Sequence, residues 1–161
     1  MIIIGYQGIG KTTTSIVNNR YIDLESSNFI YDHGDGLPFR DPFWYKVYAN
    51  IAIDLSSQGY DVFVSSHESV RKELIGRTSD ICAIVPDTSL KDSWIAKLQD
   101  RYKQTQSQKD YKAWQNAEER FEENIREIIA DVPNTIKLTS MDYDLLFAVI
   151  QARCNLESQN R

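Results

Sequence analysis

The sequence predicts an α/β protein of three layers, a five-stranded parallel sheet with helices on both faces. Three observations carry this. The 161 residues suffice for one compact domain. The chain opens on a wholly apolar run that ends at Gly5, which suits a buried central strand. Strand-like and helix-like segments then alternate to the end, the pattern of a parallel sheet covered on both sides.

Taken in order, residues 1–4 form the first strand, and a turn holding Gly5, Gly8 and Gly10 follows. Residues 11–17 read as a short helix that Asn18 and Asn19 stop. Residues 21–24 fit a second strand, and 26–38, with Gly34, Gly36 and short polar residues, read largely as loop. Asp41-Pro42 starts a helix reaching Leu55, since Asp accepts from unpaired amides and Pro suits the first helical position. Gly59 ends it, and residues 61–65 carry the β-rich Val62-Phe63-Val64 of the third strand. Ser66 caps a helix that Gly76 closes, and residues 81–85 make a fourth strand stopped by Pro86. Residues 89–131 are helical apart from a polar interruption at 104–108. There Trp114, Ala117, Phe121, Ile125 and Ile128 recur at steps of three and four, giving one apolar face. Pro133-Asn134 breaks this run before a fifth strand at 135–138, a closing helix at 141–154 and a frayed end at 157–161. Right-handed crossovers leave few topologies for this order, and no repeat divides the chain.

A net charge of −5 and a pI of 5.0 argue against a long nucleic acid as partner, because phosphate backbones are held by clustered Lys and Arg. No apolar stretch approaches the roughly 18 residues of a membrane span, and the N-terminus has neither a basic leader nor a cleavage site. Cys82 and Cys154 are too distant for a zinc-type pair and fit reduced thiols better than a disulfide. A cytoplasmic monomer or homodimer is the expectation.

Gly5-Tyr6-Gln7-Gly8-Ile9-Gly10-Lys11-Thr12 matches the phosphate-binding pattern G-x-x-x-x-G-K-[ST] in full, between an apolar strand and a helix, as that pattern requires. Glycines let the backbone bend around a phosphate and approach it closely. Successive N–H groups, with the start of the next helix, then turn partial positive charge toward the anion. Gly5, Gln7, Gly8, Ile9, Gly10, Lys11 and Thr12 are the expected nucleotide contacts. Lys11 reaches the β- and γ-phosphates, and the Thr12 hydroxyl ligates Mg²⁺. Thr13 is either a further contact or a solvent-facing helix threonine.

With Gly8 the loop reads G-x-x-G-x-G-K-T, which resembles the P-loop kinases of nucleotides and small metabolites. That resemblance implies the P-loop NTPase fold, ATP and Mg²⁺. Ile22-Asp23-Leu24-Glu25 resembles the acidic strand end of shikimate kinase and some nucleotide kinases, and both acids point the same way on an extended segment. Carried over, Asp23 binds a magnesium water or acts as base, and Glu25 faces the phosphate acceptor. The bland alternative is two solvated acids at a strand end.

Many P-loop enzymes end the third strand in an Asp, but here it runs into Ser65-Ser66-His67, which shifts the metal burden onto Asp23. His67 is either a substrate contact or a helix-start histidine with a local bond. Arg71, one helical turn on, is expected on the same face and able to hold an acceptor phosphate. Arg40 and Trp44 lie in an Arg-plus-aromatic segment whose position resembles the monophosphate-binding region of nucleotide kinases, within an acceptor-binding stretch at about 26–57. Arg40 would pair with a phosphate, and Trp44 would stack a base or pack in the core. Arg101 falls where such kinases place a phosphate-covering lid, here about 89–112, followed by Lys109 and Arg120 as second choices.

The whole layout resembles the nucleoside monophosphate kinase group, including small kinase-like proteins of phages and prophages. It implies ATP-dependent phosphorylation of a nucleoside or deoxynucleoside monophosphate, with Lys11, Asp23 and Arg101 as catalytic residues. The alternatives are a kinase for a nucleic-acid end, modified base or small metabolite, and a nucleotide-dependent binding or switch protein without acceptor chemistry.

Overall fold

Apolar runs without alternation need cover on both sides, and the chain supplies it. A computed structural model describes residues 1–32 and 39–159, without the side chains of Ile30, Tyr31, Asp32, Phe39, Arg40 and Gln159. In chain order the elements are β1 (Ile2–Gly5), α1 (Lys11–Val17), β2 (Tyr21–Asp23), α2 (Ser27–Ile30), β3 (Tyr31–Asp32), β4 (Phe39–Arg40), α3 (Trp44–Ser57), β5 (Asp61–Ser65) and α4 (Glu68–Ile75). Then come β6 (Ile81–Pro86), a 3₁₀ turn (Thr88–Leu90), α5 (Lys91–Thr105), α6 (Gln108–Asp131), β7 (Thr135–Leu138) and α7 (Leu145–Gln159).

Five strands form one parallel sheet in the order β2-β5-β1-β6-β7. Ile2, Ile3 and Ile4 of β1, Val62, Phe63 and Val64 of β5, and Cys82 through Val85 of β6 are wholly buried. Successive strand side chains point to opposite faces, so burial of every one means that both faces are covered. α3 rests on β1 and β5, α6 on β6, and α7 on β6 and β7, while α1 packs against β2. The five expected strands and their parallel sense are therefore present.

Local chemistry sets the helix ends. Ser107 accepts from the Asp110 amide and caps α6, while Gln106, in the left-handed region at φ 51°, turns the chain out of α5. Ala117, Phe121, Ile125 and Ile128 of α6 are buried as the periodicity predicts, and the helix departs from helical dihedrals at Arg120. α3 begins at Trp44 and not at Pro42, because the Asp41 carboxylate takes the Phe43 amide (2.8 Å) in a turn ahead of the helix. Likewise Asp144 accepts from the amides of Leu146 and Phe147, which delays α7 to Leu145.

The expected 26–38 loop carries structure of its own. α2 occupies its start, and β3 pairs antiparallel with β4, Tyr31 opposite Arg40 and Asp32 opposite Phe39. Gly34, Gly36 and Pro38 of that stretch lie outside the described residues.

Candidate functional site

The chain leaves β1 toward β2 on one side, and leaves β6 toward β7 on the other. A crevice opens at the carboxyl edge where neighbouring connections diverge in this way. The 5–12 loop lies at that point. Two buried side chains anchor it, Tyr6 and Ile9, each 1% exposed, and the Tyr6 amide donates to the Ile84 carbonyl (3.1 Å). The Tyr6 ring also meets Trp94 and Phe121 edge to face. The Ile9 side chain is core and its amide donates to the Tyr6 carbonyl (3.4 Å), so neither is open to a ligand.

Around these anchors the backbone takes conformations that favour glycine. Gly8 has φ 85° and Gly10, the residue before α1, has φ 97°. A Cβ at Gly8 would lie 3.0 Å from a Leu98 methyl and 3.3 Å from the Trp94 indole nitrogen, and one at Gly5 would lie 2.7 Å from Lys11 Cδ. Among the described residues no acceptor meets the amide N–H of Gln7, Gly8, Gly10, Lys11, Thr12 or Thr13. Such a row of open donors can hold an anion.

Lys11 folds back along this row, and its Nζ donates to the Gly5 carbonyl at 2.9 Å. Burial pushes its pKa below the ordinary lysine value. The carboxylates of Asp23 and Glu25 oppose that shift, while Lys109 and Arg101 add to it. The Thr12 hydroxyl donates to Asp23 Oδ2 at 2.5 Å, joining the start of α1 to the end of β2. These are hard oxygen donors of the kind that suit Mg²⁺. The Thr13 side chain faces solvent.

Glu25 accepts from the Ser27 amide (3.2 Å) and hydroxyl (3.1 Å), and forms an ion pair with Lys109 from the first turn of α6. Burial raises its pKa, but the Lys109 and Ser27 bonds outweigh this and leave it lowered. Arg101 on α5 pairs with Asp110 at 2.7 Å, and its buried Nε has no partner among the described residues. Asp110 is likewise pushed up by burial and brought down further by the Thr105 hydroxyl, Ser107 and Arg101. Thus α5 and α6 bring Arg101 and Lys109 close enough to bear on Lys11, beside the two acids of β2's end.

Three expectations change, two on the expected acceptor side and one in the expected lid. Arg71 is buried, and its guanidinium donates to Ser66 O (2.6 Å), Asp131 (2.7 Å) and Glu127 (3.5 Å). It clamps α4 to α6 and to the backbone just after β5, with its donors engaged by these partners. Trp44 is 4% exposed and packs edge to face with Tyr48 and His67, so its faces belong to the core and not to a stacked base. Arg120 pairs with Glu123 and Glu127 on its own helix. His67 bonds Ser65 Oγ through Nδ1 at the foot of α4, the local arrangement that was one of its two readings. The side chain of Arg40 lies outside the described residues.

Four contributors were absent from the expected nucleotide contacts. The Trp94 indole N–H donates to the Gln7 carbonyl (2.9 Å), and the Tyr143 hydroxyl donates to the Gly8 carbonyl (3.3 Å). Lys97 donates to the Tyr143 oxygen (2.9 Å). On the expected acceptor side, Tyr48 donates to the Leu24 carbonyl (2.6 Å) and accepts from the Ser65 amide (2.9 Å), binding the ends of β2 and β5 together. An aromatic residue at helical spacing reads as core, and only the fold shows its polar atom reaching a loop.

Elsewhere, a cavity of about 540 Å³ between the 3₁₀ turn, α6 and Lys137 shares no residue with this site. Among the described residues no cluster of three or more His, Cys, Asp or Glu side chains could hold a metal, and no helix is long and apolar enough to cross a membrane. Cys82 is buried and Cys154 exposed, and neither is in a disulfide. In comparisons with known proteins, the chain matches no protein-family model and no curated sequence.

Proposed function

We propose that this chain is an ATP-dependent phosphotransferase of the P-loop NTPase fold, acting on a nucleoside or deoxynucleoside monophosphate. The observation that carries the reading is the 5–12 loop. A full G-x-x-x-x-G-K-[ST] pattern lies between a buried strand and a helix, its amide donors open, its lysine folded along them and its threonine on a strand-end aspartate.

The residues divide the work as follows. The amides of the loop and the Lys11 ammonium hold the β- and γ-phosphates, so that charge developing on the transferred group meets donors already in place. Thr12 and Asp23 would be the oxygen donors that hold Mg²⁺, which would supply neutralisation of phosphate charge. Asp23 stands on the acceptor side of Thr12 and can take up the proton of the attacking group. Arg101 is the cation of the 89–112 region for the transferring phosphoryl group, and it reaches that position by exchanging Asp110 for phosphate. Glu25 faces the acceptor. Arg71 and Trp44 have no acceptor role in this account.

A second reading has one observation in its favour: β5 runs into Ser65-Ser66-His67, with no acid at the strand's carboxyl end to support a metal. A nucleotide-dependent switch would bind ATP, turn it over very slowly and show no dependence on any acceptor. Coupled assays over a panel of ribo- and deoxyribonucleoside monophosphates separate the two. Phosphotransfer expects ADP release that one or a few of these acceptors raise strongly. Tight nucleotide binding with ATP turnover raised by none of them would leave the switch.

A further inference from the structure

The open amides of the loop raise the question of what keeps its carbonyls out of the way. A carbonyl turned into an anion site repels the ligand, and glycine-rich backbone does not choose its orientation unaided. Two carbonyls have external donors, the Gln7 carbonyl on the Trp94 indole (2.9 Å) and the Gly8 carbonyl on the Tyr143 hydroxyl (3.3 Å). In a planar trans peptide the C=O of one residue and the N–H of the next point in opposite directions. Holding the Gln7 carbonyl on Trp94 therefore aims the Gly8 N–H away from Trp94, and that N–H is one of the open donors.

Lys97 fixes the sense of the second bond. Its Nζ lies 2.9 Å from the Tyr143 oxygen, above the Trp94 ring (4.6 Å) and the Tyr143 ring (5.0 Å), which are stacked at 5.7 Å. An ammonium only donates, so the tyrosine oxygen accepts from Lys97 and its single proton is left for Gly8. Burial raises the Tyr143 pKa to about 12, so this proton stays in place through the neutral range. Burial lowers the Lys97 pKa from its ordinary value, and Arg101, one helical turn beyond, adds to that shift.

We propose that Trp94, Tyr143 and Lys97 are positioning residues, a relay from α5 and the segment just before α7 that holds the loop carbonyls outward. The relay thereby sets the affinity for a polyphosphate without touching it. The inference rests on reading the loop as a triphosphate site. Trp94 is wholly buried, so replacing it would also open the core. Tyr143→Phe and Lys97→Met remove only the polar atoms.

The test is calorimetric titration of Mg·ATP into wild type, Tyr143→Phe, Lys97→Met, the double variant and Lys97→Arg, with a melting curve of each unliganded protein. One lost hydrogen bond corresponds to roughly 2- to 12-fold in affinity, and Tyr143→Phe and Lys97→Met should each weaken binding within that range. The double variant should bind no worse than either single one, because both changes release the same carbonyl. Lys97→Arg, also a pure donor, should stay within about 2-fold of wild type, and the melting midpoints should fall by no more than about 6 °C, the cost of that one bond. Losses that multiply in the double variant would mean that Lys97 meets the ligand itself, and a Tyr143→Phe protein binding like wild type would remove the relay. Both outcomes overturn the proposal while leaving the triphosphate site standing. A wild type that binds no triphosphate removes the site and the proposal together.

Discussion

Arg71→Met separates a structural arginine from an acceptor-binding one. The guanidinium is 3% exposed and serves a carbonyl, Ser66 O at 2.6 Å, and two carboxylates, Asp131 at 2.7 Å and Glu127 at 3.5 Å. Methionine keeps much of the apolar stem and removes every donor. Breaking a fully buried ion pair costs about 3–5 kcal/mol. Here the carboxylates are 29% and 39% exposed and can rehydrate, which reduces the expected loss to about 2–3 kcal/mol. In a chain of 161 residues that lowers the melting midpoint by about 5–10 °C. Urea unfolding followed by tryptophan fluorescence measures it, with an unchanged slope showing that the cooperative unit is intact. Monophosphate and nucleotide affinities of the still-folded variant should equal those of wild type. Stability within about 0.5 kcal/mol of wild type, together with lost acceptor affinity, would return Arg71 to the acceptor site and refute the clamp.

Other outcomes follow from the same structure. Gly8→Ala places a Cβ at φ 85°, 3.0 Å from Leu98, and should lower unfolding free energy by about 1–3 kcal/mol. Gly76→Ala, in open space with φ −76°, should leave it unchanged or raise it by up to about 1 kcal/mol, both read from urea midpoints. Because the folded-state pKa of Lys11 is depressed, its buried ammonium destabilises the fold at neutral pH, and this penalty fades as pH rises through that pKa. A bound triphosphate reverses the shift, so binding under alkaline conditions should take up a proton, seen as a buffer-dependent heat; identical heats in all buffers would contradict this. A thiol reagent at neutral pH should titrate Cys154 alone in the native protein, because burial carries the Cys82 thiol up to about 12, and Cys82 should react only on unfolding.

Much of the fold was legible because its central strands need cover on both faces, and such strands leave unbroken apolar runs. Ile2–Ile4 and Val62–Val64 could hardly sit anywhere else. The loop was legible for a related reason: glycine at φ 85° and 97° leaves a mark at fixed spacing. Asp23 was legible as a strand-end acid near the loop, but its bond with Thr12 came only with the fold. What escaped depends on partners distant in sequence. Helical spacing set Arg71 one turn beyond His67, but spacing is silent about Asp131, sixty residues later, which takes the guanidinium into an ion pair. Trp44 had two readings, and the presence of Tyr48 and His67 against its ring decides for the core. β3 and β4 are two residues each, too short to leave a periodic signal. Trp94 and Tyr143 act through one polar atom each on an otherwise apolar side chain, which no pattern of hydrophobicity records.

Everything functional rests on the loop after β1 holding a triphosphate through its amides and Lys11. Equilibrium dialysis of wild type and Lys11→Met against Mg·ATP tests it directly. Wild type should take up one nucleotide per chain, and the variant should bind about 10- to 100-fold more weakly, the worth of a charge-assisted contact of about 1.5–3 kcal/mol. No uptake by wild type, or equal uptake by the two proteins, would contradict the account.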